Sequence, residues 1–248
     1  MSDEVDIALA KIQAITQARL ELGQRGQALS TRKSLGFALD HAKAQAAVHS
    51  HLERSTIQSQ LTDEGIPTRS VSSAATSRDA YIKRPDLGRI LSKGQVQELP
   101  KAGYDIALVL GDGLSAIAAN LNGPSFVKGL WDALDELGLK SAPVVLAEHC
   151  RVALGDQIAN AMNAEIAIVA LGERPGLSAA DSLGVYVTYE PSERTQDSAR
   201  NCISNIREAG LPVGEAIAQT VALVAAMRSQ KRSGVGLEVP AMSKRIDG

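Results

Sequence analysis

Aromatic side chains are scarce in this sequence: Phe 2, Trp 1 and Tyr 4 amount to 3% of 248 residues. The core must therefore be aliphatic, and a platform for stacking nucleic-acid bases is poorly supplied. An excess of one charge is missing too. Lys+Arg 26 against Asp+Glu 28 leave a formal charge of −2, so no whole-molecule field draws in nucleic acid or an anionic membrane. The cysteines, Cys150 and Cys202, are too few for a disulfide framework or a four-thiolate zinc site, and reduced thiols in the cytoplasm are the expectation. No stretch approaches the roughly 18 apolar residues of a membrane span. The opening MSDEVDIALAKIQAI has early acids and no basic cap, so it does not read as a secretory signal. What is present is ordinary for a soluble globular chain, with 44% hydrophobic and 22% charged residues. A chain of this length buries about three quarters of its unfolded surface.

The first sixty residues read as helical. Val5, Leu9, Ile12 and Ile15 recur at helical spacing with Ala8 on the same stripe, and Gly23 and Gly26 break the pattern. A second helix over 34–49 places Leu35, Ala38, Leu39, Ala42 and Ala46 on one face, expected to pack on the rest of the chain or on another subunit. The composition of 55–77 turns to Ser, Thr and Gln around Gly65-Ile66-Pro67, which suits a connector with room for a short strand. Pro85, in YIKRPDLGR at 81–89, disfavours helix at Arg84 and suits the first turn of a new one.

The second half alternates. Unbroken apolar runs at 106–110, 144–147 and 166–171, with a β-branched run at 185–189, suit strands covered on both faces. Between them lie helical stretches at 115–120, 125–137 and 156–163, and Ile217, Val221, Val224 and Met227 mark a closing helix. This predicts a doubly wound, Rossmann-like α/β fold with a mostly parallel sheet and an N-terminal helical segment. The expected division is helical segment 1–60, connector 61–100, Rossmann-like domain 101–232 and tail 233–248.

In such sheets ligands bind beyond the carboxyl ends of the strands. That selects GDGLS at 111–115, HCRVALGDQ at 149–157 and GERPG at 172–176, with RNCISNIR at 200–207 as a polar element able to fold over the same end. Gly111-Asp112-Gly113-Leu114-Ser115-Ala116 matches the dinucleotide pattern G-x-G-x-x-A and supports, as the alternative function, a free-standing nucleotide-binding oxidoreductase. An aspartate inside the turn would repel a pyrophosphate, however, and the acid expected about twenty residues on is Asp132, within a helix. A tight strand-to-helix turn that needs its glycines is the better reading. His149-Cys150 suggests a nucleophile pair or metal ligands, but neighbours on a strand end point apart and no spaced cluster supports them. No phosphate loop G-x-x-x-x-G-K-[ST] and no H-E-x-x-H helix occurs. Arg84, Arg89, Arg151 and Arg174 are candidates for anions or for pairing with carboxylates.

At these loops the sequence resembles the small (light) subunit of ethanolamine ammonia-lyase. The resemblance is carried by YIKRPDLGR at 81–89, DIALVLGDGLSAIA at 105–118, GDQI at 155–158, LGERPGLS at 171–178, NCISNIR at 201–207 and SGVGL at 233–237, and it covers most of the chain from Leu20 onward. It implies a partner, a large subunit built as a TIM barrel that carries the substrate site, and a cofactor, adenosylcobalamin, held between the two. It implies turnover of ethanolamine to acetaldehyde and ammonia by a radical route, with no catalytic residue and no protein metal ligand on this chain. The family's cofactor contacts carry over onto Val152, Glu173 and Cys202, with Arg174 as a weaker candidate. The motif D-x-H-x-x-G, by which some cobalamin proteins replace the lower benzimidazole with histidine, is absent, and from that absence the expectation is that the benzimidazole stays on cobalt. Neither nucleic acid nor membrane is an expected partner. The expected location is cytoplasmic, with residence in a bacterial microcompartment left open, because the sequence lacks the long amino-terminal extension of some family members.

Overall fold

The computed structural model describes residues 30–239, together with Ile7 and residues 10–12. Of the first expected helix, only those few positions are described. Ile7 and Ile12 are helical and exposed, while Val5, Ala8, Leu9, Ile15, Gly23 and Gly26 lie outside the described residues, as does the tail beyond 239. None of the described helices is long and apolar enough to cross a membrane.

Helix α1 (Thr31–His49) starts where the Ser30 side chain accepts from the Lys33 N–H, an N-cap bond that satisfies one of the helix's orphan donors. Of its apolar stripe, Leu35 and Leu39 stay 66% and 57% exposed, so the other described residues do not cover them. Helix α2 (Arg54–Asp63) follows and buries Ile57 and Leu61. The first part of the stretch expected as a connector over 55–77 is thus helical, and its later part enters strand β1 (Thr68–Ser72), the short strand for which the sequence left room. Helix α3 (Arg78–Lys83) stops at Arg84, whose backbone leaves the helical region (φ −126°, ψ 74°) ahead of Pro85.

The remaining elements are β2 (Tyr104–Gly111), α4 (Ala116–Glu136), β3 (Val144–Glu148), α5 (Val152–Met162), β4 (Ala164–Gly172), β5 (Leu183–Tyr189), β6 (Asn201–Ile206) and α6 (Val213–Gln230). Two expectations need correction. The stretches 115–120 and 125–137 form a single helix, α4, with Pro124 inside it. Proline removes one helical hydrogen bond, but the turn is held in other ways. Ser125 Oγ donates to the Asn122 carbonyl at 3.1 Å. Gly123 lets the helix press onto Leu110, where an added Cβ would come within 2.7 Å. RNCISNIR is likewise not a loop folded over the sheet: it forms strand β6, antiparallel to β5, with Ile203 and Ile206 buried and Cys202 and Ser204 exposed. Half its residues are polar because one face is bare.

The six strands run β1-β3-β2-β4-β5-β6, parallel from β1 to β4 and antiparallel across β5 and β6. This is a mostly parallel α/β sheet with helices on both faces. Because side chains alternate along a strand, the two faces carry separate cores. Ile106, Leu108, Leu110, Leu146, Ile166 and Ile168 join Phe126, Leu130 and Leu134 of α4 and Met227 of α6 on one face. Ala107, Val109, Val145, Ala147, Ala167 and Val169 meet Leu154, Ile158 and Met162 of α5 on the other.

Candidate functional site

Adjacent strands β2 and β3 send their chains to opposite faces, through α4 and α5, so the crevice between their ends is where an open α/β sheet would take a ligand. Here the chain fills it with its own side chains. Asp112, 1% exposed, accepts from the His149 and Cys150 N–H groups at 2.9 and 2.8 Å and pairs with Arg78 at 2.9 Å. Burial pushes its carboxyl up, against those N–H groups and Arg78, which pull it down. Arg78 also donates to the carbonyls of Val48 and Gly113. His149 Nδ1 donates to the Ala75 carbonyl at 3.1 Å, and the Tyr81 hydroxyl donates to the Cys150 carbonyl at 2.9 Å. Cys150 is fully buried, which raises its thiol well above the ordinary value. His149-Cys150 is thus a satisfied, packed pair, and no group of metal-ligating side chains occurs among the described residues. Gly113 has φ +54°, and a Cβ there would come within 2.0 Å of the Gly172 carbonyl oxygen. The glycines of GDGLS serve the close approach of two strand-end turns and leave no cradle for a pyrophosphate.

The second candidate region lies further along the α5 face. Helix α5 covers β2 and β4, while on the same face Tyr186 of β5 is half-buried and Cys202 and Ser204 of β6 are exposed. Arg200 and Asp156 form an ion pair whose side chains are both only 3% exposed. That contact sets the geometry around it. Val152 lies one turn before Asp156 and so shares its helix flank, while Cys202 lies two positions after Arg200 and so shares its strand face. Val152 and Cys202 therefore lie on the same side of the sheet, with β5 between them and Tyr186 paired with Cys202. Glu173, in the turn after β4, lies above Gly184 of β5 on the same face, since a Cβ at Gly184 would meet its Oε1 at 2.8 Å.

These groups sense one another. Burial raises the Tyr186 hydroxyl, and the neighbouring Cys202 and Glu173 charges add to this. Loss of water raises the Cys202 thiol, the Tyr186 hydrogen bond lowers it, and Glu173 raises it further. Both stay protonated at neutral pH, so Cys202 offers a neutral thiol rather than a thiolate. Glu173 accepts from the Ser182 hydroxyl and from the Asn205 N–H at 3.3 Å. The shelf thus has an apolar wall (Val152, Leu171), a carboxylate acceptor (Glu173) and hydroxyl and thiol groups (Tyr186, Ser204, Cys202) along an open face. This donor and acceptor set suits a large, flat ligand with an amide-fringed rim.

Of the expected site residues, the structure places Val152, Glu173 and Cys202 around this shelf. Arg174 is exposed in the turn beyond Glu173, with no ion pair among the described residues. Arg84 is held by Asp86 at 2.7 Å, Arg89 lies 3.8 Å from Asp197, and Arg151 stacks 4.4 Å from the Tyr81 ring centroid. Sequence reasoning missed Tyr186, Ser182, Asp156 and Arg200. Alternation along β5 signals the face of Tyr186, but only the antiparallel register brings it to Cys202.

Comparison with known proteins adds an independent line. The family model for the ethanolamine ammonia-lyase light chain matches residues 7–238. The ethanolamine ammonia-lyase small subunit of Ralstonia nicotianae is 40% identical over 232 residues, 91% of this chain and 85% of the relative. Its counterparts in Pseudomonas aeruginosa and Pseudomonas fluorescens are 39% and 37% identical over 243 residues, in each case 96% of this chain and 89% of the relative. A match that runs through every strand and through the shelf-bearing turns makes this chain a member of the ethanolamine ammonia-lyase light-chain family.

Proposed function

We propose that this chain is the cofactor-gripping small subunit of an adenosylcobalamin-dependent ethanolamine ammonia-lyase, and that the shelf between α5 and β6 is its half of the corrin site. The observation that supports this reading is that Val152, Glu173 and Cys202 lie along one face, Cys202 paired with Tyr186, Glu173 over Gly184 and Val152 one turn from the Asp156 that meets Arg200. Glu173 accepts a hydrogen bond from a corrin side-chain amide, Val152 and Leu171 supply apolar wall, and Tyr186 and Cys202 line the floor. Arg174 stands at the rim, within reach of ligand or partner. The chemistry that adenosylcobalamin supplies when bound is a carbon-centred radical that starts the rearrangement of ethanolamine. The residues of this chain bind, orient and exclude water. Substrate contacts belong to a barrel-shaped large subunit that closes over the shelf. Such a complex resides in the cytoplasm, free or within a microcompartment.

The test is a spectral titration of cobalamin onto the reconstituted two-subunit complex. Glu173→Ala removes one charge-assisted hydrogen bond and should raise the dissociation constant about 10- to 150-fold. An unchanged constant would reject the shelf as the corrin site.

A further inference from the structure

The Glu173 carboxylate is held from one side only. Its Oε2 takes both the Ser182 hydroxyl and the Asn205 N–H, while Oε1 takes no hydrogen bond among the described residues. Oε1 lies over Gly184, at the register shift between Leu183 and Val185, where any side chain would bring a Cβ to within 2.8 Å of it. Residues 173 and 182 are also joined through their main chains, the Glu173 N–H donating to the Ser182 carbonyl at 2.9 Å. The loop between them is anchored from below. Ser115 Oγ donates to the Ala180 carbonyl at 2.6 Å, and Asn122 Nδ2 to the Asp181 carbonyl at 2.9 Å. Ser182 itself is 5% exposed and out of reach of a ligand on the shelf.

A glutamate on a rim would ordinarily sample several rotamers and lose that freedom on binding. Here the loss is met on folding. One oxygen is tied down, and the bare α-carbon beneath leaves room for the other to remain free. We infer that Ser182 and Gly184 are positioning residues for Glu173, presenting Oε1 as a pre-set acceptor for an amide NH₂ of the bound corrin. The inference rests on the corrin reading above and assigns to that site two residues that do not themselves touch the ligand.

The experiment measures cobalamin dissociation constants of the two-subunit complex for Ser182→Ala, Ser182→Thr and Gly184→Ala, alone and, for Ser182→Ala, combined with Glu173→Ala. Ser182→Ala should weaken binding about 3- to 10-fold through the restored freedom of Glu173, and Ser182→Thr should return to within about twofold of the parent because it keeps the hydroxyl. Gly184→Ala should weaken binding at least as much as Ser182→Ala, by pushing the carboxylate off the sheet. In the Glu173→Ala background Ser182→Ala should add nothing, a non-additivity that a purely structural role would not produce. A Ser182→Ala effect that persists without Glu173, or that is absent while Glu173→Ala weakens binding, overturns the positioning role and leaves the corrin site standing. A Glu173→Ala change without effect brings down the corrin reading, and this inference with it.

Discussion

The two faces of the sheet are built on different rules. The face under α4 and α6 carries large branched side chains, Ile106, Leu108, Leu110, Leu146, Ile166 and Ile168, and helices cover it out to β6. The face under α5 carries Ala107, Val109, Ala147, Ala167 and Val169. Small residues there let α5 sit close, and at Gly155 a Cβ would come within 2.1 Å of Val169. A single short helix covers part of that face, leaving Tyr186 of β5 half-buried and Cys202 and Ser204 of β6 exposed. Burial of large aliphatic surface stabilises the fold on one side, while the other side gives up area and keeps an open, polar-edged shelf. Of the buried ion pairs, Arg200–Asp156 lies on the second face and Arg78–Asp112 in the crevice at the strand ends; both fix position more than they add stability.

Four substitutions would break or sharpen that contrast. The largest effect is expected on the covered face: Leu108→Ala, at a position 1% exposed, should cost about 4 kcal/mol in urea unfolding. A loss under about 1 kcal/mol would mean the two faces are packed alike. Next comes Arg200→Met, which leaves Asp156 buried without its partner and should cost about 3 kcal/mol at neutral pH. Asp156 itself gives a pH signature. Burial holds its carboxyl at about 6, above the ordinary 3.8, despite the pull of Arg200. Between those values the folded chain binds more protons than the unfolded one, so this group's contribution to stability falls as pH rises from about 4 through 6. Asp156→Asn has no such proton to lose, so the stability difference between parent and variant should move in the variant's favour as pH rises from about 4 through 6, on top of a pH-independent cost for leaving Arg200 without its carboxylate. Parallel curves would remove the titration from Asp156. The smallest effect is expected on the bare shelf, where Cys202→Ala should shift the melting curve by no more than about 0.5 kcal/mol; a larger loss would show that Cys202 supports the core.

Strands β2 to β5 were legible because their runs are apolar on both faces or β-branched. Strand β6 was not, since Asn201, Cys202, Ser204 and Asn205 make it look like a loop until its bare face is known. Helix α4 reads in the sequence as two pieces around Gly123-Pro124, where local propensity opposes helix and packing on Leu110 overrides it. The turns of the candidate site could be selected from strand ends, but Val152, Glu173 and Cys202 were singled out only through resemblance. Ser182 carried no sequence signal, and Tyr186, Asp156 and Arg200 lay in stretches the sequence marked without anything to show which residues they meet.

Taken alone, the order of residues determined an aliphatic α/β chain: apolar runs make strands, amphipathic stripes make helices, and few aromatics and balanced charge rule out other classes. Only the tertiary structure decided that Val152 and Cys202 lie on the same side of the sheet, that Asp156 finds Arg200, and that the crevice between β2 and β3 is filled by Asp112 and Arg78. Those partners lie tens of residues apart. Which of them meet depends on strand order, register and the face each side chain takes, and local periodicity carries no record of these.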